Sequence, residues 1–226
     1  MPADELPPLA EILPPQAVAQ ETFGDVPGAV LFPQEEAYLA RAVDQRRQEF
    51  TAGRACARAA LAQLGLPPVP IVPGGRGAPQ WPDGVVGSIT HCAGYRAAVA
   101  AAAGDVAALG LDAEPEEPLP SGLLDVIARP AERARLAALA QSAPGVCWDR
   151  LLFSAKEAVY KAWYPLTGRR LDFGQADVTI AAQAGTFTAR LLVPAAAPDG
   201  SALTSFTGRW LAGGGLIRTA VALLAG

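Results

Sequence analysis

The stretch Trp148-Asp-Arg-Leu-Leu-Phe-Ser-Ala-Lys-Glu-Ala-Val-Tyr-Lys-Ala-Trp-Tyr164 predicts the longest helix in the second half of the chain. Four bulky aromatic residues indicate that this helix lies partly in a core: Phe153, Tyr160, Trp163 and Tyr164. The same stretch holds both lysines of the chain, Lys156 and Lys161. Lys and Arg together number 18, so the other sixteen basic residues are arginines. The helix therefore deserves a functional explanation as well as a structural one.

Lysine is a compact point charge suited to phosphate oxygens, whereas arginine is a planar fork. Glu157 follows Lys156 directly and precedes Lys161 by four residues. A carboxylate among ammonium groups is what a metal-bridged phosphate site needs. The ordinary alternative is a surface ion pair between Glu157 and Lys161, worth about 0.2–0.5 kcal/mol.

The first half of the chain begins with a Pro-rich segment, residues 1–33, which we expect to be an extended arm. Residues 34–64 have a helical pattern that stops at Gly65-Leu-Pro-Pro, and Gly53 predicts a break into two helices. Three short strands are predicted next, with Gly104-Asp105 as the turn between the last two: residues 85–90, 95–103 and 106–114.

The second half repeats this order of elements. Helices are predicted at residues 130–141 and 148–164, and Gly213-Gly-Gly215 is typical of a hairpin turn. The predicted strands are residues 176–181, 186–193, 203–211 and 216–224. We therefore predict an α+β fold: a pseudo-twofold duplication of two similar α+β halves, each with helices packed on a small antiparallel sheet. The halves are residues 1–110 and 111–226, with an active cleft between them.

Composition excludes several classes of function. Charged residues make up 18% of the chain and the net charge is −4, which argues against nucleic-acid binding. The most apolar stretch, residues 97–111, is interrupted by Gly104 and Asp105 and is too short to span a bilayer, so no membrane association is expected. Three cysteines without paired spacing and the absence of a visible signal sequence favour the cytoplasm.

Acidic residues at the end of the third predicted strand suggest a cation site. Asp112 and Glu114 are two residues apart and therefore point to the same face of the strand, where they repel unless a cation lies between them. His91 is the only histidine, so a zinc site is not expected. Oxygen ligands from Asp112, Glu114 and Glu157 suit Mg²⁺ or Mn²⁺. The alternative is a solvated strand end before an acidic loop.

Three motifs together resemble the 4′-phosphopantetheinyl transferases. They are Gly87-Ser-Ile-Thr-His-Cys92, Leu109-Gly-Leu-Asp-Ala-Glu114 and Phe153-Ser-Ala-Lys-Glu-Ala-Val-Tyr-Lys161, in the family's order and at its spacing. The likeness covers roughly residues 40 to 170. It is greatest to the larger, monomeric group that activates surfactin and enterobactin synthetases. An Arg-rich helix containing Arg54-Ala-Cys-Ala-Arg58, and Trp81-Pro-Asp-Gly, favour an actinobacterial branch that serves polyketide and non-ribosomal peptide carriers.

The resemblance implies a set of roles for named residues. Asp112, Glu114 and Glu157 would hold Mg²⁺, with Mn²⁺ as the alternative, and the catalytic residues would be Glu157, Asp112 and Lys161. Lys161 would neutralise the pyrophosphate of coenzyme A (CoA), with Lys156 assisting. Other residues are expected to contact CoA. At its 3′-phosphate these are Arg54 and either Arg46 or Arg47, with Arg76 as a further candidate. His91, with Ser88 or Thr90, would contact the CoA phosphates, and Tyr160 is a further CoA-binding residue.

The implied reaction transfers phosphopantetheine from CoA to a serine of an acyl or peptidyl carrier protein, and 3′,5′-ADP leaves. Glu157 would take the serine proton directly or through water. CoA is then a co-substrate, and we expect a monomer because the duplication supplies both halves of the cleft. Two alternatives remain: a non-catalytic CoA- or nucleotide-binding module, and another Mg²⁺-dependent nucleotide transferase. Dependence on the 3′-phosphate would separate the latter from the family's reaction.

Overall fold

The computed structural model describes residues 6–226. The first half contains one three-stranded antiparallel sheet with the strand order β1-β3-β2. Its elements, in chain order, are β1 (Ala17–Phe23), α1 (Pro33–Tyr38), α2 (Asp44–Gln63), β2 (Val85–Cys92) and β3 (Tyr95–Ala102). Helix α2 packs across this sheet, mostly against β1 and β3.

The second half contains a five-stranded antiparallel sheet with the strand order β4-β8-β7-β6-β5. Helix α5 packs across β4 and β8. The elements of this half are β4 (Val106–Pro115), α3 (Leu123–Ile127), α4 (Pro130–Ser142), α5 (Trp148–Thr167), β5 (Ala176–Ala181), β6 (Thr186–Leu191), β7 (Ser205–Gly213) and β8 (Leu216–Leu224).

The predicted α+β class is confirmed, with two antiparallel sheets that each carry a long helix. The sheets differ in size, three strands against five. Between them lies a core of small and medium side chains from β3, β4 and β8, including Val99, Leu111 and Ala220. A second core fills the space between α5 and the larger sheet. None of the helices in residues 6–226 combines the length and apolar character needed to cross a bilayer.

Two predictions about the first half are wrong. The described part of the N-terminal arm contains a strand, β1, because Ala17 to Phe23 can pair along the free edge of β3. Residues 1–5 of that arm lie outside the described residues. Gly53 does not break the helix, since the interruption falls between Tyr38 and Asp44. Instead Gly53 lies inside α2, where an added Cβ would come within 3.2 Å of Ile89 on β2, so the glycine permits close packing.

The turn at Gly104-Asp105 forms as predicted, but it joins strands of different sheets. Strand β4 spans the predicted boundary after residue 110 and pairs with β8 along its length. Two side-chain hydroxyls of β2 connect β4 to the first half. The backbone N–H of Leu111 donates to Ser88 Oγ at 3.0 Å, and that of Ala113 donates to Thr90 Oγ1 at 3.1 Å. The halves are thus joined by hydrogen bonds as well as by the shared core.

Gly110 allows α5 to lie unusually close to β4. A Cβ built at this position would stand 1.9 Å from the carbonyl oxygen of Ala158 and 2.8 Å from the backbone nitrogen of Ala162. Both are backbone atoms of the helix, so they cannot move aside as a flexible side chain would. Any residue larger than glycine must therefore push the helix away from the strand.

We predict that Gly110→Ala lowers the free energy of unfolding by about 3 kcal/mol or more, because packed backbone must separate. Gly104→Ala is the matched control. An added Cβ there meets nothing within 4 Å, so we expect a change below about 1 kcal/mol. Urea denaturation followed by circular dichroism measures both. Equal losses for the two variants would contradict the role assigned to Gly110.

Candidate active site

Asp112 and Lys161 form the centre of the site, at the junction of β4 and α5. Asp112 lies opposite Thr219 of β8, whose hydroxyl contacts Ser154 of α5, so Asp112 faces that helix. Lys161 Nζ donates to Asp112 Oδ1 at 2.8 Å and to the carbonyl oxygen of Leu111 at 3.0 Å. The second oxygen of the buried Asp112, Oδ2, has no hydrogen-bond partner among the described residues. A buried, unpaired carboxylate oxygen is costly and marks a place for a cation or a donor.

Glu157 lies one turn before Lys161 on the same face of α5. Burial raises the pKa of its carboxyl, and the nearby charge of Asp112 raises it further, while Lys161 opposes the shift. The side chain forms no hydrogen bond with any residue of the described chain. The carboxyl of Glu157 thus lies within the electrostatic reach of Asp112 and Lys161.

Glu114 is held by an arginine that sequence reasoning missed. Arg150 Nη1 donates to Glu114 Oε2 at 2.9 Å, and its Nε and Nη2 donate to the carbonyl oxygens of Glu117 and Pro118 at 2.9 and 3.1 Å. Burial and Asp112 raise the pKa of Glu114, and Arg150 opposes them. The sequence did contain a signal, because Arg150 precedes Glu157 by seven residues and so shares its helix face.

The three predicted metal ligands do not form a closed set. Within residues 6–226, no group of three acidic, histidine or cysteine side chains lies close enough to hold an ion. The donors nevertheless fit a hard divalent cation, because within residues 6–226 Asp112 keeps an unpaired buried oxygen and Glu157 has no hydrogen-bond partner. One oxygen of Glu114 is bound by Arg150, and its other oxygen makes no contact with Arg150.

Lys156 lines a cavity together with Glu157, but its ammonium group is bound by other parts of the fold. Its ammonium group pairs with Glu132 of α4 at 2.9 Å and donates to the carbonyl oxygens of Phe173 and Ala176. Both side chains of the pair are almost fully buried, at 2% and 1% exposure. Residues 156 and 161 are five apart, which turns their side chains to different sides of a helix. Lys156 therefore connects α5 to α4 and to the start of β5.

Arg46, Arg54 and His91 line one cavity of about 120 Å³. Arg46 Nη1 lies 2.8 Å from His91 Nε2. Arg54 is stacked over Phe50 and donates to the carbonyl oxygen of Ile71 at 2.6 Å. Burial lowers the pKa of Arg54 to about 10, so it stays charged at neutral pH. The cavity therefore has two guanidinium groups available to an anion.

Arg47 points elsewhere, to an ion pair with Glu36 and to the carbonyl oxygen of Leu39. Of these two arginines, Arg46 is the one that lines the cavity and contacts His91.

Arg76 and Tyr160 lie between two further cavities, of about 340 and 220 Å³, and both cavities are also lined by Glu157. Arg76 is the only non-glycine residue with positive φ, +54°, among those described. Its loop rests on α5, where Gly75 approaches the hydroxyl of Tyr164 so closely that a Cβ would be 2.5 Å away. Arg76 is therefore beside Glu157 and not in the cavity of Arg46 and Arg54, where it was expected.

Ser88 and Thr90 are both 3% exposed, and their hydroxyls already serve the junction with β4. Thr90 Oγ1 also lies 3.3 Å from Lys161 Nζ and 3.4 Å from Asp112 Oδ1. Ser88 lines the 220 Å³ cavity. Thr90 therefore belongs to the polar group around Asp112, and Ser88 borders the space next to it.

The buried pair of Lys156 and Glu132 gives a stability prediction. Lys156→Met leaves the Glu132 carboxylate without its cation in a dry environment, and we expect a loss of about 3–5 kcal/mol in the free energy of unfolding. The control is Arg170→Met, which breaks an exposed pair with Asp172 and costs below about 1 kcal/mol. Chemical denaturation compares them. A small loss for Lys156→Met would show that the pair is dispensable.

Comparisons with known proteins agree with these motifs. The family description "4'-phosphopantetheinyl transferase N-terminal domain" matches residues 34–101, and "4'-phosphopantetheinyl transferase superfamily" matches residues 108–208. The first match includes α2 and β2, the strand that contains His91. The second match includes Asp112, Glu157 and Lys161.

Three curated relatives, all from actinobacteria, align over most of the chain. The 4'-phosphopantetheinyl transferase Svp of Streptomyces mobaraensis is 57% identical over 220 residues, which is 96% of this chain and 89% of that protein. PptT of Mycobacterium tuberculosis is 48% identical over 90% of both chains. Npt of Nocardia iowensis is 50% identical over 84% of this chain and 88% of that protein. The resemblance seen in the motifs is confirmed: this chain belongs to the 4′-phosphopantetheinyl transferase superfamily.

Proposed function

We propose that this transferase moves 4′-phosphopantetheine from CoA to a serine of an acyl or peptidyl carrier protein, with release of 3′,5′-ADP. The observation that carries the proposal is the contact of Lys161 with one oxygen of Asp112. In the described part of the chain, the other oxygen of Asp112 and the carboxylate of Glu157 have no hydrogen-bond partner. A fixed cation beside unpaired carboxylates favours a diphosphate bridged to a divalent ion.

The cavities beside this centre fit the two ends of CoA. The cavity with Arg46, Arg54 and His91 offers positive charge for the 3′-phosphate. The cavity of about 340 Å³ is assigned to the pantetheine arm, whose amides and carbon chain would meet a mixed lining: Leu171 and Phe173 are apolar, and Arg170 and Asp172 are charged. Lys161 and Arg76 lie between the two cavities, where the diphosphate would be held. Lys156 also lines the cavity of about 340 Å³, where its ammonium group is paired with Glu132.

Asp112 and Glu157 would hold Mg²⁺ or Mn²⁺ through their free oxygens, with Glu114 contributing the oxygen not bound to Arg150. When bound, the ion would neutralise the diphosphate and make its phosphorus atom easier to attack. Lys161 adds a second positive charge on the same side, so charge that develops on the leaving 3′,5′-ADP is stabilised. The N–H groups of the β2–β4 junction keep Asp112 in place, because Leu111 and Ala113 flank it.

Glu157 is the proposed acceptor of the serine proton. A carboxylate of ordinary pKa is a weak base, and burial together with Asp112 raises the pKa of Glu157. The raised pKa makes the carboxylate of Glu157 a stronger base than an ordinary glutamate. The proton would reach Glu157 directly or through one water molecule.

The test is the intact mass of an apo carrier protein after incubation with the enzyme, CoA and Mg²⁺. We expect a gain of one phosphopantetheine group, its loss on addition of EDTA, and a rate reduced about a hundredfold or more by Glu157→Gln. Asp105→Asn, in the exposed turn before β4, is the control for removal of one carboxylate charge and should keep the full rate.

An unchanged rate in Glu157→Gln with normal metal dependence would refute the assignment of the base. Absence of any mass gain with several carriers, together with measurable CoA binding, would favour a non-catalytic CoA-binding module. Absence of CoA binding as well would refute the proposed function.

A further inference from the structure

Glu49 is the one acidic residue that lines the cavity assigned to the 3′-phosphate, among the described residues. The other charged groups there are Arg46 and Arg54, with His91 beside them. A carboxylate repels an anionic ligand, so its charge alone weakens phosphate binding. Its presence in this cavity therefore requires another physical reason.

Glu49 is oriented by its own helix. Gln45, one turn earlier on α2, donates its amide N–H to Glu49 Oε1 at 3.2 Å. The other oxygen, Oε2, lies 4.0 Å from His91 Nδ1, and the side chain is only 16% exposed. One oxygen is thus fixed by Gln45, and the other is directed at the imidazole ring.

The contact with Arg46 determines which ring nitrogen of the neutral His91 carries the proton. A guanidinium group can only donate, so Nε2, 2.8 Å from Arg46 Nη1, must accept. The proton of the neutral ring is then on Nδ1, facing Glu49. Burial lowers the pKa of His91, as do Arg46, Lys161 and Arg96, whereas Glu49 raises it. The ring is therefore neutral at neutral pH in the absence of ligand.

A phosphate ligand needs the opposite polarity at Nε2. Phosphate oxygens accept hydrogen bonds, so Nε2 must become a donor if His91 is to contact the group. The ring can gain a second proton at Nε2 only if the resulting positive charge is stabilised. Glu49 faces the far nitrogen, Nδ1, and among residues 6–226 it is the anionic group that raises the pKa of this ring.

We propose that Glu49 is a positioning residue for recognition of the 3′-phosphate: its carboxylate faces Nδ1 of His91 at 4.0 Å and stabilises a positive charge on the ring, so that the ring takes a proton from solvent at Nε2 when the phosphate enters. Nε2 then changes from an acceptor for Arg46 into a donor to the phosphate. Arg46 is released from the ring at the same step and can also bind the ligand. This inference rests on the proposed function, because it assigns the cavity to the 3′-phosphate of CoA.

The single histidine of the chain gives a direct readout. In tag-free protein labelled with ¹⁵N in the imidazole ring, long-range proton–nitrogen spectra report the protonation of each ring nitrogen. At pH 7.5 we expect only Nδ1 to be protonated without ligand, and both nitrogens to be protonated with saturating 3′,5′-ADP. In Glu49→Gln the ring should stay neutral in the complex. A general loss of packing would not produce this pattern.

Calorimetry adds an affinity measurement with two matched ligands, 3′,5′-ADP and 5′-AMP, which differ by the 3′-phosphate. We expect Glu49→Gln to weaken 3′,5′-ADP binding about tenfold and to leave 5′-AMP binding unchanged. Simple removal of a negative charge from the cavity would have the opposite sign and tighten binding. Glu36→Gln, which removes a carboxylate from neighbouring α1 outside the cavity, should leave both affinities unchanged.

The outcomes separate this inference from the proposed function. If the unaltered chain binds 3′,5′-ADP no better than 5′-AMP, the assignment of the cavity fails, and the inference fails with it. If the unaltered chain prefers 3′,5′-ADP but Glu49→Gln binds it equally or more tightly, only the role of Glu49 is overturned. If the His91 ring stays neutral in the complex of the unaltered chain with 3′,5′-ADP, the role of Glu49 is overturned as well. That measurement does not depend on the folding of any variant.

Discussion

The close approach of α5 to β4 at Gly110 is the constraint on which the site depends. Glycine lets the backbone of the helix at Ala158 rest against the strand. Two residues further along β4, on the same face, comes Asp112, and one turn further along α5 comes Lys161. Their 2.8 Å contact is thus a consequence of the backbone spacing set at Gly110. A wider separation would leave the lysine and the carboxylate too far apart to act on one diphosphate.

The site also depends on the joining of the two halves. Thr90 belongs to the first sheet, yet its hydroxyl accepts the N–H of Ala113 in the second sheet and lies beside Lys161 and Asp112. The same strand, β2, ends at His91, which borders the cavity of Arg46. Strand β2 therefore contributes both to the group around Asp112 and Lys161 and to the cavity of Arg46. Residues of both sheets thus take part in the proposed site.

The sequence predicted most of the fold, because helices α4 and α5 and the strands have clear periodicity and clear stop signals. It missed β1, whose residues pair with a sheet edge that cannot be recognised until β3 is placed. It misjudged Gly53, since helix propensity does not reveal that a neighbouring strand needs the space of a side chain.

Among the site residues, Asp112 contacts Lys161, and the charges of both act on Glu157. Lys156 and Arg47 face other groups, Glu132 and Glu36, because helix position and not residue type decides where a side chain points. The contributions of Arg150 and Glu49 come from contacts between elements distant in sequence. Those contacts can be read only from the folded chain.

The central claim is that Asp112 and Glu157, beside Lys161, form a divalent-cation site for a bound diphosphate. The most direct test is titration of Mn²⁺ into the protein saturated with CoA, followed by electron paramagnetic resonance of the free ion. The account predicts one bound ion per chain and at least about tenfold weaker binding in Asp112→Asn, because a ligand charge is lost. Equal Mn²⁺ affinity in Asp112→Asn and the unaltered chain would contradict it.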